Sequence, residues 1–260
     1  MTERFKSNSE CEKFDPEITD SFGEDEIPAR LTNDENSRRD FLRMALCRTV
    51  SGFVVATGAE FAGPYRALAQ SALTPQQAMD ELIAGNKRFL DEKLTSFEHD
   101  LTILKKHTID KQEPFAAVLS CADSRVPVEL IFDQSIGHIF VTRIAGNIAT
   151  SEIIASLEYG AAVLETKVIL VMGHAGCGAV KATIQAKEVP GQISALYPHI
   201  QPAVDRAGSD LEAVSKANAK IQAALLRQSS TVIAELIKDN KLKVSASYYD
   251  VGTGAVTILD

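Results

Sequence analysis

Three short apolar runs lie between residues 114 and 174 of this chain: PFAAVLSC (114–121), GHIFVTR (137–143) and KVILVMGH (167–174). Each is too short for a helix and is bounded by polar residues, which is the pattern of a buried strand. Helix-like sequence separates them. VPVELIFD (126–133) forms a helical turn, TSEIIASLEYGAAVLET (150–166) places Ile153, Ile154, Leu157, Ala161 and Leu164 on one face, and GCGAVKATIQA (176–186) opens another helix. Ser151 is the expected cap of the second of these. Strands that alternate with helices require crossover connections and therefore a parallel sheet. The expected fold class is α/β, with a mostly parallel central sheet flanked by helices.

Open parallel sheets bind ligands beyond the carboxyl ends of their strands. Two of the runs end at Cys121 and His174, and Cys177 follows three residues after the histidine. Two thiols and an imidazole form a ligand set that suits zinc, and a catalytic zinc keeps its fourth position open. The H-x-x-C spacing lets two ligands come from one tight turn entering a helix. Taken alone, that spacing equally describes a buried histidine near a structural cysteine. Asp123 and Arg125 stand two and four residues after Cys121. A carboxylate there accepts a hydrogen bond from the attacking water, and a guanidinium holds the carboxylate off the metal. An ordinary surface ion pair has the same spacing.

The rest of the chain frames this centre. In LTPQQAMDELIAGNKRFL (73–90), Thr74, Pro75 and Gln77 form the start signal of a helix, and Met79, Leu82, Ile83 and Phe89 fall at helical spacing. Residues 193–240 read as largely helical. KLKVSASYYDVGTGAVTILD (241–260) reads as a strand pair turning at VGTG. The net charge is −8 and there is no long basic block, which argues against nucleic acid as a partner. Nothing in the expected mature chain makes a stable membrane span.

The first seventy residues differ in kind. Residues 1–36 are polar and acid-rich, with few positions able to pack, and are expected to be a disordered acidic lead. Residues 37–69 then run SRRDFLRMALCRTVSGFVVATGAEFAGPYRALA, with the pair Arg38–Arg39, an apolar stretch from Thr49 to Ala62, and small residues at 67–69. This order resembles a twin-arginine export signal cleaved after Ala69. It places the mature domain, residues 70–260, in the periplasm or cell envelope. Such a mature chain keeps only Cys121 and Cys177, and a metal guards two thiols in an oxidising compartment.

The motifs CADSRVP (121–127) and GHAGC (173–177) together resemble the two signatures of β-class carbonic anhydrases, and FDQSIGHIFVTRIAGNI, EYGAAVLETKVILVMGHAGCGAVKA and VSASYYDVGTGAVTIL are similar to the family's layout. The resemblance covers about residues 74–260. It implies one Zn²⁺ per chain held by Cys121, His174 and Cys177, with Asp123–Arg125 as the catalytic dyad and zinc-bound hydroxide hydrating carbon dioxide reversibly to bicarbonate and a proton. It also implies a homodimer or higher homo-oligomer with sites at the interface, and it assigns Gln112 and Gly178 to the substrate, Gln112 reaching across that interface. In some members the closed arrangement, with the aspartate swung onto zinc, is favoured by bicarbonate in a separate pocket that includes a tryptophan. This chain has no tryptophan, so the open arrangement, with Asp123 on Arg125, is expected. No classical proton shuttle is evident; His107, His138 and His199 are candidates, each of which also reads as an ordinary surface or packing histidine. Competing readings are a carbonyl sulfide or carbon disulfide hydrolase of the same fold, a non-catalytic zinc-stabilised binding module, and a redox dithiol. The last is the least favoured, because Cys121 and Cys177 are not in a C-x-x-C pair.

Overall fold

The structure is a computed structural model and describes residues 73–96, 108–109 and 111–260. The acidic lead, the export signal and His107 lie outside the described residues.

The apolar runs are strands, and every residue of β1 (Ala116–Ser120) and β3 (Val168–His174) is buried. β2 (Ile139–Arg143) is half covered. Strand β4 (Lys243–Tyr249) and the short β5 (Val256–Ile258) complete a sheet of order β2-β1-β3-β4-β5. The first four strands pair in parallel, and β5 is antiparallel to β4. This is the expected mostly parallel α/β sheet. From β1 the chain crosses to one side to form β2 and then to the other to form β3. The carboxyl ends of β1 and β3 are thus neighbours where the strand order reverses, the place at which such sheets build sites.

Alternation along the strands divides the core between two faces. Ala116, Val118, Leu170 and Met172 face a cluster with Ala78, Met79 and Leu82 of α1 (Pro75–Leu90). Ala117, Leu119, Ile169 and Val171 face a second cluster. It includes Leu157 of α3 (Ser151–Ala162), Ala219 and Ala223 of α6 (Leu211–Ser229), and Ile233 of α7 (Thr231–Lys238). A four-residue turn α2 (Val128–Ile131), a short α4 (Gly178–Ile184) and α5 (Tyr197–Ala207) complete the helices described. Helix α6 lies close against β3 because residue 173 is glycine: a Cβ there would stand 2.9 Å from the Ser215 carbonyl oxygen.

The helix starts follow the local chemistry. Thr74 Oγ1 accepts from the Gln77 N–H and Gln77 Oε1 accepts from the Thr74 N–H, a complete capping box. Two expectations fail. Thr150, not Ser151, is the cap of α3, and Ser151 is its first helical residue. Ile83 is 48% exposed although it shares the spacing of Met79 and Leu82, because the buried stripe of α1 is narrower than its apolar pattern.

Asp133 fastens α1 to the sheet. Its carboxylate accepts from Arg88 Nε, from the Thr95 N–H and hydroxyl, and from the Ser96 N–H and hydroxyl. Arg88 also reaches Glu81. Burial alone would raise the pKa of Asp133, but the hydrogen bonds from Arg88 and Ser96 outweigh it and leave the carboxyl below its ordinary value.

Candidate metal centre

Cys121 follows β1 directly, His174 ends β3, and Cys177 caps α4. Cys121, His174 and Cys177 are all buried, and their ligand atoms lie within 4.8 Å of one another. The two sulfurs are 4.0 Å apart. Two thiolates held at ~2.3 Å by a tetrahedral ion stand about 3.8 Å apart, so the spacing suits zinc. The imidazole supports the same reading. His174 Nδ1 lies 3.0 Å from the Ala175 carbonyl oxygen, which only accepts, so the proton is on Nδ1. Nε2 is then a lone-pair donor, and it is buried with no hydrogen-bond partner. An orphaned buried nitrogen beside two sulfurs is a donor set that suits a metal ion.

The sulfurs differ in environment. Cys121 is drawn below the ordinary thiol value, chiefly by hydrogen bonding with Cys177, against the effect of burial and with help from the Gly146 N–H. Cys177 is pushed up by its contact with Cys121 and by burial. Thiols this close give up their protons when a cation binds them.

Asp123 and Arg125 form a clamp. The Arg125 N–H and Nε donate to Asp123 Oδ1 at 3.0 and 2.9 Å, and Nη2 donates to Oδ2 at 2.8 Å. Nη2 also reaches the Gly176 carbonyl oxygen at 3.3 Å. These bonds hold the Asp123 carboxyl below the usual carboxylate range. Its Oδ2 is 4.0 Å from His174 Nε2. An anion therefore stands beside the place the metal would take, yet is turned toward the guanidinium.

Gly178 is exposed at the start of α4, next to Cys177, and a Cβ there would meet nothing within 4 Å. Gln112 is not brought to its own site. It is exposed before β1, and the five strand residues 116–120 separate it from Cys121 by roughly 16 Å at ~3.3 Å each. The ring of His138 packs edge-on against Phe115, and His199 is exposed on α5.

Arg143, Asn218 and Gln222 were not singled out in the sequence. Arg143 ends β2, and its Nε and Nη2 donate to the carbonyl oxygens of Cys121 and Asp123 at 3.0 and 2.5 Å. It ties down the loop that carries a ligand and the dyad. Its position at the carboxyl end of a strand was the available signal.

Comparison with known proteins agrees with this geometry. Residues 116–256 match a family model described as carbonic anhydrase. Carbonic anhydrase 2 of Mycobacterium tuberculosis is 31% identical over 198 residues, which is 72% of this chain and 93% of that protein. The structure of a Coccomyxa β-carbonic anhydrase in complex with acetazolamide is 26% identical, with a TM-score of 0.55 over 70% of this chain and 86% of that one. A tetrameric β-carbonic anhydrase from Sordaria macrospora, 23% identical, shares the fold with a TM-score of 0.55, covering 70% and 93% of the two chains. An α/β sheet with a buried two-sulfur, one-nitrogen site at its reversal point defines a zinc-enzyme class. The chain belongs to the β-class carbonic anhydrase family.

Proposed function

We propose that this chain is an exported β-class carbonic anhydrase that uses zinc held by Cys121, His174 and Cys177 to hydrate carbon dioxide. The observation that carries the site assignment is the orphaned His174 Nε2, within 4.8 Å of two buried sulfurs and 4.0 Å from a carboxylate that Arg125 restrains. When bound, zinc acidifies water near neutral pH and so supplies the nucleophile. The protein's own groups do the rest. Asp123 is ionised at neutral pH and Oδ2 accepts the hydrogen of the attacking oxygen, which points that oxygen's lone pair at carbon dioxide. Arg125 keeps this carboxylate from becoming a ligand itself. Gly176 and Gly178, on either side of the buried Cys177, are exposed. No helix among the described residues is long and apolar enough to cross a membrane.

Purified protein beginning at residue 70 is expected to contain one zinc per chain and to hydrate carbon dioxide. Hydrolysis of carbonyl sulfide or carbon disulfide without carbon dioxide hydration would favour the hydrolase reading. Zinc with neither activity would leave the binding module.

The active assembly is a homodimer or a larger homo-oligomer. Gln112 supports this reading, since it lies at the far end of β1 from its own Cys121 and, if it serves bicarbonate, would do so in a partner's site. Gln112→Ala should raise KM for bicarbonate in the oligomer. An unchanged KM would remove Gln112 from the site.

Export rests on the Arg38–Arg39 pair, the apolar stretch and the small residues 67–69. Replacing both arginines by lysine should retain the precursor inside the cell, and envelope-fraction protein should begin near Gln70. Soluble cytoplasmic enzyme starting at Met1 would contradict this.

A further inference from the structure

Cys121 Sγ has a backbone donor, the Gly146 N–H, at 3.4 Å. The donor belongs to a tight turn over 144–147, closed by the Asn147 N–H donating to the Ile144 carbonyl oxygen at 2.9 Å. Gly146 is the third residue of this turn and has φ +78°. A positive φ at that position is the mark of a type II turn. The alternative, a type I turn, differs by a flip of the central peptide. That flip would carry the Gly146 N–H away from the sulfur and point the Ala145 carbonyl oxygen at it.

Two buried amides hold the turn in place. Asn218 Nδ2 donates to the Gly146 carbonyl oxygen at 2.8 Å. One helical turn on, Gln222 Oε1 accepts from the Ala149 N–H at 2.9 Å, and Gln222 Nε2 donates to Asn218 Oδ1 at 3.1 Å and to the His199 carbonyl oxygen at 2.9 Å. Asn218 and Gln222 are 0% and 1% exposed. Ile200 closes the other side, since a Cβ on residue 146 would stand 2.7 Å from its Cδ1. The buried network leads from α6 to the carbonyl of Gly146, the residue whose own N–H, on the preceding peptide, meets a sulfur.

We infer that Asn218 is a positioning residue of the metal centre: through Gly146 it keeps a backbone N–H aimed at the Cys121 sulfur and so limits the electron density that this sulfur gives to the metal. The inference rests on the zinc reading above. Two thiolates and a neutral imidazole cancel the charge of a divalent ion, which weakens it as an electrophile. A hydrogen bond to one sulfur restores part of that strength. A purely structural amide would need no such link to the ligand.

Cobalt-loaded protein tests it, because the sulfur-to-cobalt charge-transfer band reports the electron density on the thiolates. In Asn218→Ala the band should move to longer wavelength. Gly146→Ala, which disfavours the positive φ and so turns the 145–146 peptide that carries this N–H away from the sulfur, should move it at least as far. The double variant should move it no further than Gly146→Ala alone, since both changes act through one N–H. A band at the wild-type position in Asn218→Ala carrying one cobalt per chain overturns the inference. An additive double variant does so too. Wild-type protein loaded with ¹¹³Cd gives a test that needs no variant: the Gly146 amide proton should show scalar coupling to the metal, and its absence also overturns the inference. Failure of wild-type protein to give any sulfur-to-cobalt band would instead defeat the zinc-site reading itself.

Discussion

Arg125 holds Asp123 through three hydrogen bonds, and only 4.0 Å separates Asp123 Oδ2 from His174 Nε2. The carboxylate is near enough to the metal position to become a ligand once released. Arg125→Ala should therefore keep its zinc while kcat/KM falls about 10²-fold or more, the scale of a lost proton-handling group. A crystal structure of the zinc-loaded variant should place an Asp123 carboxylate oxygen in the fourth position, about 2.0–2.2 Å from the metal. Unchanged kinetics in the zinc-loaded variant would show that the clamp has no catalytic role.

Arg143 acts on the same loop from below, bonding the carbonyl oxygens of Cys121 and Asp123. Arg143→Met keeps the apolar stem and loses both donors. Zinc affinity, measured by competition with a chromophoric chelator, should drop about 10–100-fold, as for other outer partners of metal ligands. Wild-type affinity in the variant would mean that the loop holds its shape without the guanidinium.

Asp133 predicts an acid limit to stability. Its folded-state pKa lies below its unfolded value, so its contribution is present in full above the unfolded value of about 3.9 and disappears as pH falls through the folded one. Asp133→Asn should cost about 3 kcal/mol at pH 7, because Arg88 loses its charged partner and the Thr95 and Ser96 donors lose theirs. Urea unfolding at pH 7 and pH 3 measures this. The gap between wild type and variant should narrow at the lower pH, and a constant gap would assign the stabilisation to groups other than this carboxylate.

How the sequence exposed the site explains what it concealed. Cys121 and His174 could be placed because each ends an apolar run, and a parallel sheet brings strand ends together. Which strands adjoin was not readable: periodicity carries no strand order, and the site depends on β1 lying beside β3. Arg143 looks in sequence like a solvent charge finishing an edge strand, and only the pairing Ser120↔Arg143 shows what it reaches. Asn218 and Gln222 occupy positions i and i+4 of a helix rich in polar residues, where an amide on the wet face has the same spacing as a buried one. Ile83 shows the converse, since helical spacing states which residues share a face but not how far the neighbouring core extends. The dyad was legible because C-x-D-x-R is local, with every bond between Asp123 and Arg125 spanning two residues.

The most direct measurement is stopped-flow carbon dioxide hydration at neutral pH, with metal content determined on the same samples, for the wild-type domain and Cys177→Ala. The wild type should carry one zinc per chain and hydrate carbon dioxide. The variant, with one sulfur of the pair removed, should lose both the metal and the activity. Full hydration activity with stoichiometric zinc in Cys177→Ala would contradict the account of this centre.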